Sequence, residues 1–130
     1  MPARLDHTIV HARDRNASAS FLAGVLGLLP PEPVGRFATV TLANGVTLDY
    51  IDAPEPFDRV HYAFAVSHDE LDAVFARVRE RGLTWWADPG HQRPNETYVR
   101  DDSRGFYFDD PDGHRLEVLT RSGEVLTRSE

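Results

Sequence analysis

The sequence predicts an α+β protein made of two successive β-α-β-β-β modules. Two observations predict it. A strand-then-helix pattern occurs twice, over "LDHTIVHARDRNASASFLAGVLGLL" (5–29) and over "VHYAFAVSHDELDAVFARVRERGLT" (60–84). Each copy is followed by strands on the same plan, and their last segments align. Asn44-Gly45-Val46-Thr47-Leu48-Asp49-Tyr50-Ile51 lies over Asp112-Gly113-His114-Arg115-Leu116-Glu117-Val118-Leu119, so turn falls on turn, Leu48 on Leu116 and Asp49 on Glu117.

In the first module, Phe21, Leu22, Val25 and Leu26 recur at helical spacing, and Gly27 is placed to stop the helix. "RFATVTL" (36–42) and "VTLDYI" (46–51) read as strands joined at Asn44-Gly45. Pro54-Glu55-Pro56 reads as a linker, which gives module one about residues 1–54 and module two about residues 57–122 of a single domain. In the second module, Ser67-His68-Asp69-Glu70 fits a capping box, Leu71, Val74, Phe75 and Val78 form the buried stripe, and Gly82 is the stop. "LTWWA" (83–87), "GFYFDD" (105–110) and "HRLEVLT" (114–120) complete it, with Asp110-Pro111-Asp112-Gly113 as turn chemistry. The second module is the longer, and the excess falls on the polar loop Asp88 to Arg104, a length often used for functional lids. Trp85 and Trp86 cannot both face inward on one strand, so one packs while the other lines a cavity or a dimer contact.

Composition narrows the chemistry. A net charge of −7 over 130 residues argues against a nucleic-acid partner, which needs a basic surface. No apolar run approaches the ~20 residues of a membrane-spanning helix, and "MPARLDHTIV" has no signal-peptide pattern; a cytoplasmic location is expected. The chain has no cysteine and no lysine. That excludes disulfides, thiolate nucleophiles, Cys-ligated metal, Schiff-base chemistry and a P-loop lysine. No Gly-x-Ser-x-Gly elbow is present. What remains is His, Asp, Glu, Tyr, Arg and a metal.

Glu117 draws attention because Glu is depleted in strands and a carboxylate is costly to bury unpaired. If the modules pack with pseudo-two-fold symmetry, equivalent positions meet, and those positions carry His7, Asp49, His61 and Glu117. Two imidazoles and two carboxylates on four strands have metal-site chemistry.

The pieces "LDHTIVHARD", "FLAGVLGLL", "HYAFAVSHDELD" and "GFYFDDPDGHRLEVLT" resemble the vicinal oxygen chelate superfamily, which includes glyoxalase I, the extradiol dioxygenases, the fosfomycin-resistance thiol transferases and the bleomycin-resistance proteins. The resemblance covers most of residues 5–120. It implies a cup-shaped mixed sheet of paired βαβββ modules, with one divalent ion (Fe, Mn, Ni or Zn) on His7, His61 and Glu117. It also implies a small-molecule substrate chelated through adjacent oxygens, and a homodimer. Two His and one carboxylate leave coordination positions open for such a substrate.

Three further residues are candidates for chemistry. Asp49 is either a fourth ligand, an acceptor behind the ligands, or a strand-edge carboxylate. Tyr107 faces opposite to Phe106 and Phe108, so its hydroxyl either meets a substrate oxygen or is the wet tip of a packed ring. His11 shares a strand face with His7 and is either a cavity acid or base, or an ordinary rim residue. His91, Arg93 and Arg100 belong to the long loop and are placed to reach an anionic substrate; His68 and His114 read as solvated.

Asp49 favours a glyoxalase or isomerase-like enzyme, the reading placed first. "FYFDDPDGHRLE" fits an extradiol dioxygenase, the runner-up, although Tyr98, Val99 and Arg100 stand where that motif wants a His. "HYAF" adds likeness to the fosfomycin-type thiol transferases, against which stand the missing lysine and Ile9 in place of a Thr. A metal-free binding protein of the bleomycin-resistance kind is the alternative outside enzymes.

Overall fold

The structure, a computed structural model, describes residues 2–121. The chain divides into two compact units, one ending at Asp58 and the other beginning at Arg59. The first contains β1 (His7–Ala12), α1 (Arg15–Leu26), β2 (Glu32–Val34), β3 (Phe37–Thr41) and β4 (Thr47–Asp52). The second contains β5 (His61–Val66), α2 (His68–Glu80), β6 (Tyr98–Arg100), β7 (Ser103–Asp109) and β8 (Arg115–Thr120). Each unit is therefore one β-α-β-β-β module, as the repeat predicts.

Within the first unit the strand order is β1-β4-β3-β2, and within the second β5-β8-β7-β6. The first strand of each pairs parallel with the last, and the remaining pairings are antiparallel. Even the register repeats. His7 pairs with Thr47 and Ile9 with Asp49, just as His61 pairs with Arg115 and Ala63 with Glu117.

One face of each sheet is covered by its own helix. α1 packs on β1, β3 and β4, burying Ala19, Leu22, Ala23 and Val25 against Val10, Val40, Leu48 and Tyr50. α2 packs along β8, and its Phe75 ring meets Phe106 of β7 edge-on at 5.2 Å. Helix ends follow their side chains. Asp14 Oδ1 accepts the amides of Asn16 and Ala17 at 3.0 and 3.1 Å, and Gly27 closes α1 in the left-handed region at φ 73°. Ser67 Oγ accepts the Glu70 amide at 3.1 Å, the expected cap of α2.

Three strands depart from expectation: β2 lies outside the segments read as strands, and two more differ in the second module. "LTWWA" is not a strand; Trp86 alone makes isolated bridges, to Tyr107 and Pro94. The fourth strand is instead Tyr98–Arg100, inside the segment read as a loop. Trp85 and Trp86 do part company: Trp85 packs edge-on against Phe75 (5.1 Å), whereas Trp86 stacks on His91. Among the described residues, no helix is long and apolar enough to cross a membrane.

Candidate functional site

The face of each sheet opposite its helix carries the candidate residues. In β1 the alternation leaves His7, Ile9 and His11 exposed while Val10 and Ala12 are buried. In the second sheet one row runs Ala63–Glu117–Tyr107 across β5, β8 and β7, and the adjacent row runs His61–Arg115–Asp109.

Glu117 is 8% exposed, so its carboxylate needs partners. It has three polar neighbours. His61 Nε2 lies 3.2 Å from Oε1, and the Tyr98 hydroxyl donates to Oε2. Tyr107 pairs with Glu117 in register and sets its ring edge-on to His61 at 5.7 Å. Burial first, and then the Glu117 carboxylate, push both the Tyr98 and Tyr107 hydroxyls above the ordinary phenol range. Both therefore remain protonated donors at neutral pH. Gly105 makes the Tyr98 contact possible. A Cβ there would stand 2.7 Å from the Tyr98 hydroxyl and 2.4 Å from the Val118 carbonyl oxygen.

The His61–Glu117 separation has chemical meaning. Two ligand atoms each about 2.1 Å from one ion, at right angles to tetrahedral, stand about 3.0–3.4 Å apart. The observed 3.2 Å falls within that range and is also a hydrogen-bond distance, so the pair is compatible with a shared divalent ion and with a proton held between them.

In the first unit His7 Nδ1 lies 2.8 Å from Asp6 Oδ2. That hydrogen bond is the main cause of a raised His7 pKa, with the Asp49 charge contributing less. A proton on Nδ1 directed at Asp6 leaves the Nε2 lone pair as the one the ring can offer to an acceptor-seeking group. Asp49 is half-buried and accepts from the Thr39 hydroxyl at 3.1 Å. His11 sets its ring edge-on to Phe57 at 6.0 Å.

Sequence reasoning misplaced or missed several residues. His114, read as solvated, is 1% exposed, and its Nδ1 accepts the Val60 amide at 3.0 Å. Turn residues are usually wet, but this one ties the β7–β8 turn to the start of β5. His68 is exposed and is bound by Arg104 through its ring and carbonyl. Tyr98 was missed as a partner of Glu117, although it stands in the stretch where a related motif wants a His. A second donor cluster also emerges: Asp110, Asp112 and His114 offer atoms within 4.8 Å of one another. Two of these donors are already engaged by backbone. Asp110 Oδ1 accepts the Asp112 and His114 amides at 2.9 Å each, while its buried Oδ2 has no hydrogen-bond partner among the described residues. Burial is the main force raising the Asp110 pKa.

The fold is shared with known proteins. The family model for the Glyoxalase/Bleomycin resistance protein/Dioxygenase superfamily matches residues 4–118. Glutathione transferase FosA of Serratia marcescens is 30% identical over 120 residues, covering 88% of this chain and 78% of that protein. Metallothiol transferase FosB of Shouchella clausii is 44% identical over 62 residues, 46% of this chain and 37% of that protein. Among solved structures, Oxidase ChaP-H1 is 53% identical with a TM-score of 0.90, covering 95% of this chain and 99% of that one. Oxidase ChaP-H2 gives the same identity and TM-score, covering 93% of this chain and 95% of that one.

Proposed function

The chain belongs to the Glyoxalase/Bleomycin resistance protein/Dioxygenase superfamily, and we propose that it is a metal-dependent oxidase of a small organic molecule chelated through adjacent oxygens. The observation that carries the oxidative reading is the 53% identity, over nearly the whole chain, with two proteins named as oxidases. The oxidase names add an oxidative reading beside the isomerase-like one placed first from Asp49, nearer in chemistry to the extradiol dioxygenase placed as runner-up. A thiol-transferase reading has its own support in the FosA and FosB likenesses, at lower identity or over half the chain.

In this reading His7, His61 and Glu117 hold one divalent ion. When bound, that ion supplies Lewis acidity and, if it is iron or manganese, redox chemistry. The chain's own residues do the rest. Tyr98 fixes the Glu117 carboxylate through its hydroxyl and keeps one oxygen turned to His61. Tyr107, held protonated, offers its hydroxyl to a substrate oxygen. Asp6 orients the His7 ring, and Thr39 restrains Asp49 as a carboxylate near His7. His11 stands four residues along the same strand face, as a proton carrier at the rim. The working unit in this reading is a single-domain chain assembled as a homodimer in the cytoplasm.

Oxygen uptake tests the reading. Protein loaded separately with Fe(II), Mn, Ni or Zn is supplied with a panel of aromatic 1,2-diols and α-hydroxy ketones. The oxidase reading expects uptake stoichiometric with substrate loss for the iron or manganese form and none for zinc. Glutathione addition to fosfomycin, or hemithioacetal isomerisation, without oxygen uptake would transfer the chain to another branch.

A further inference from the structure

The segment after Trp86 is built onto the face that carries Glu117. Trp86 exchanges two backbone hydrogen bonds with Tyr107, at 2.9 and 2.8 Å. The chain then turns at Asp88, whose carboxylate accepts the amides of Gln92 at 3.0 Å and Arg93 at 2.8 Å. That turn brings His91 back over Trp86, with ring planes 14° apart and centroids 3.7 Å apart. His91 Nε2 lies 3.3 Å from the Asp109 carboxylate. Asp109 also accepts from Arg115 Nε at 3.2 Å, and Arg115 Nη1 donates back to the Pro89 carbonyl. The contacts close a ring from loop to sheet and back.

Two features bear on His91. It sits at φ 61°, in the left-handed region that costs a side-chain-bearing residue free energy, so its position is over-determined by its contacts. Its anchors, Asp109 and Arg115, form the row next to Tyr107 and Glu117, about 7 Å along the strands. Arg115 is also the register partner of His61. Yet 32% of the His91 side chain stays exposed, so the clamped ring remains open to a ligand.

We propose that His91 is a positioning and specificity-determining residue: held between Trp86 and Asp109, it fixes the 88–95 loop as a wall beside His61 and Glu117 and decides which organic ligand fits there. The proposal rests on the reading of those two residues as metal ligands. A loop braced only for stability would leave ligand choice untouched; a wall at the site would not.

Two probes separate these roles on metal-loaded protein: 4-nitrocatechol, which chelates through adjacent oxygens on a ring, and acetohydroxamate, which chelates without a ring. Wild type, His91→Ala and His91→Phe are compared. For His91→Ala, metal content stays unchanged, the 4-nitrocatechol Kd rises about tenfold and the acetohydroxamate Kd changes less than about twofold. His91→Phe, which keeps a ring to stack but loses the Asp109 contact, falls between. The Ala87 and Asn95 amides, bonded to Arg93 and Trp85, exchange faster with solvent in His91→Ala. Equal effects on both probes, no effect on 4-nitrocatechol, or unchanged exchange would overturn the proposal while leaving the metal reading intact. A wild type that takes up no metal sinks the metal reading first, and the specificity role falls with it.

Discussion

Glu117 is a carboxylate in mid-strand, and the fold answers it with donors. Its burial leaves two oxygens to satisfy, and His61 and the Tyr98 hydroxyl take one each. The residue was legible in the sequence because an acid in an apolar strand demands a partner. Tyr98 was not, because it sits among Asn, Glu, Thr and Arg, where no hydrophobic period marks a strand. We predict that Tyr98→Phe raises the metal dissociation constant by about 10- to 100-fold, the usual cost of losing a group that orients a ligand. The same change leaves a buried acceptor unpaired, so stability falls by about 1–3 kcal/mol. Chelator competition and thermal melting measure the two effects. Unchanged values in both would remove Tyr98 from the site.

At the scale of elements, strong patterns were read correctly and weak ones were not. The two helices announced themselves by spacing and the glycines that follow them, and α2 also by its capping box. The edge strands did not. β2 is Glu32-Pro33-Val34, and a proline is tolerated there because an edge strand has a side needing no amide donor. β6 carries only three residues, too few to show alternation. "LTWWA" looked like a strand because tryptophan favours sheets, yet the chain turns at Asp88 after a single bridged residue. The Asp110–His114 turn offers a test by pH. The carboxyl is held above its ordinary pKa by burial, so the folded protein binds a proton that the unfolded chain releases. The stability from this group is full below the ordinary carboxylate range and is lost as pH rises through the raised value. Asp110→Asn keeps an oxygen for the Asp112 and His114 amides and removes the charge. Its Tm should therefore fall less than that of wild type as pH rises through that window. Parallel Tm–pH curves for the two proteins would contradict the assignment.

For the molecule as a whole, the internal repeat carries the account. It holds at the level of single registers, and it places His7 and His61 at the same strand position and Asp49 and Glu117 at another. The modules have diverged in chemistry: Glu117 meets a His and a Tyr, whereas Asp49 meets Thr39. The repeat could be read from residue order alone. Tyr98 and the His91 clamp could not, because they depend on which face each edge residue turns to. Assembly is predicted to be homodimeric, and sedimentation equilibrium at micromolar concentration checks it; a monomer there would contradict it. The measurement that bears most directly on the central claim is metal content per chain, in protein purified without chelator or a metal-affinity tag. The variants are His7→Ala, His61→Ala, Glu117→Ala and, as a control in the second donor cluster, Asp112→Ala. The account predicts about one divalent ion per chain in wild type and Asp112→Ala, and its loss in the other three. No ion in wild type after supply of Fe, Mn, Ni or Zn, or an ion lost only in Asp112→Ala, would contradict it.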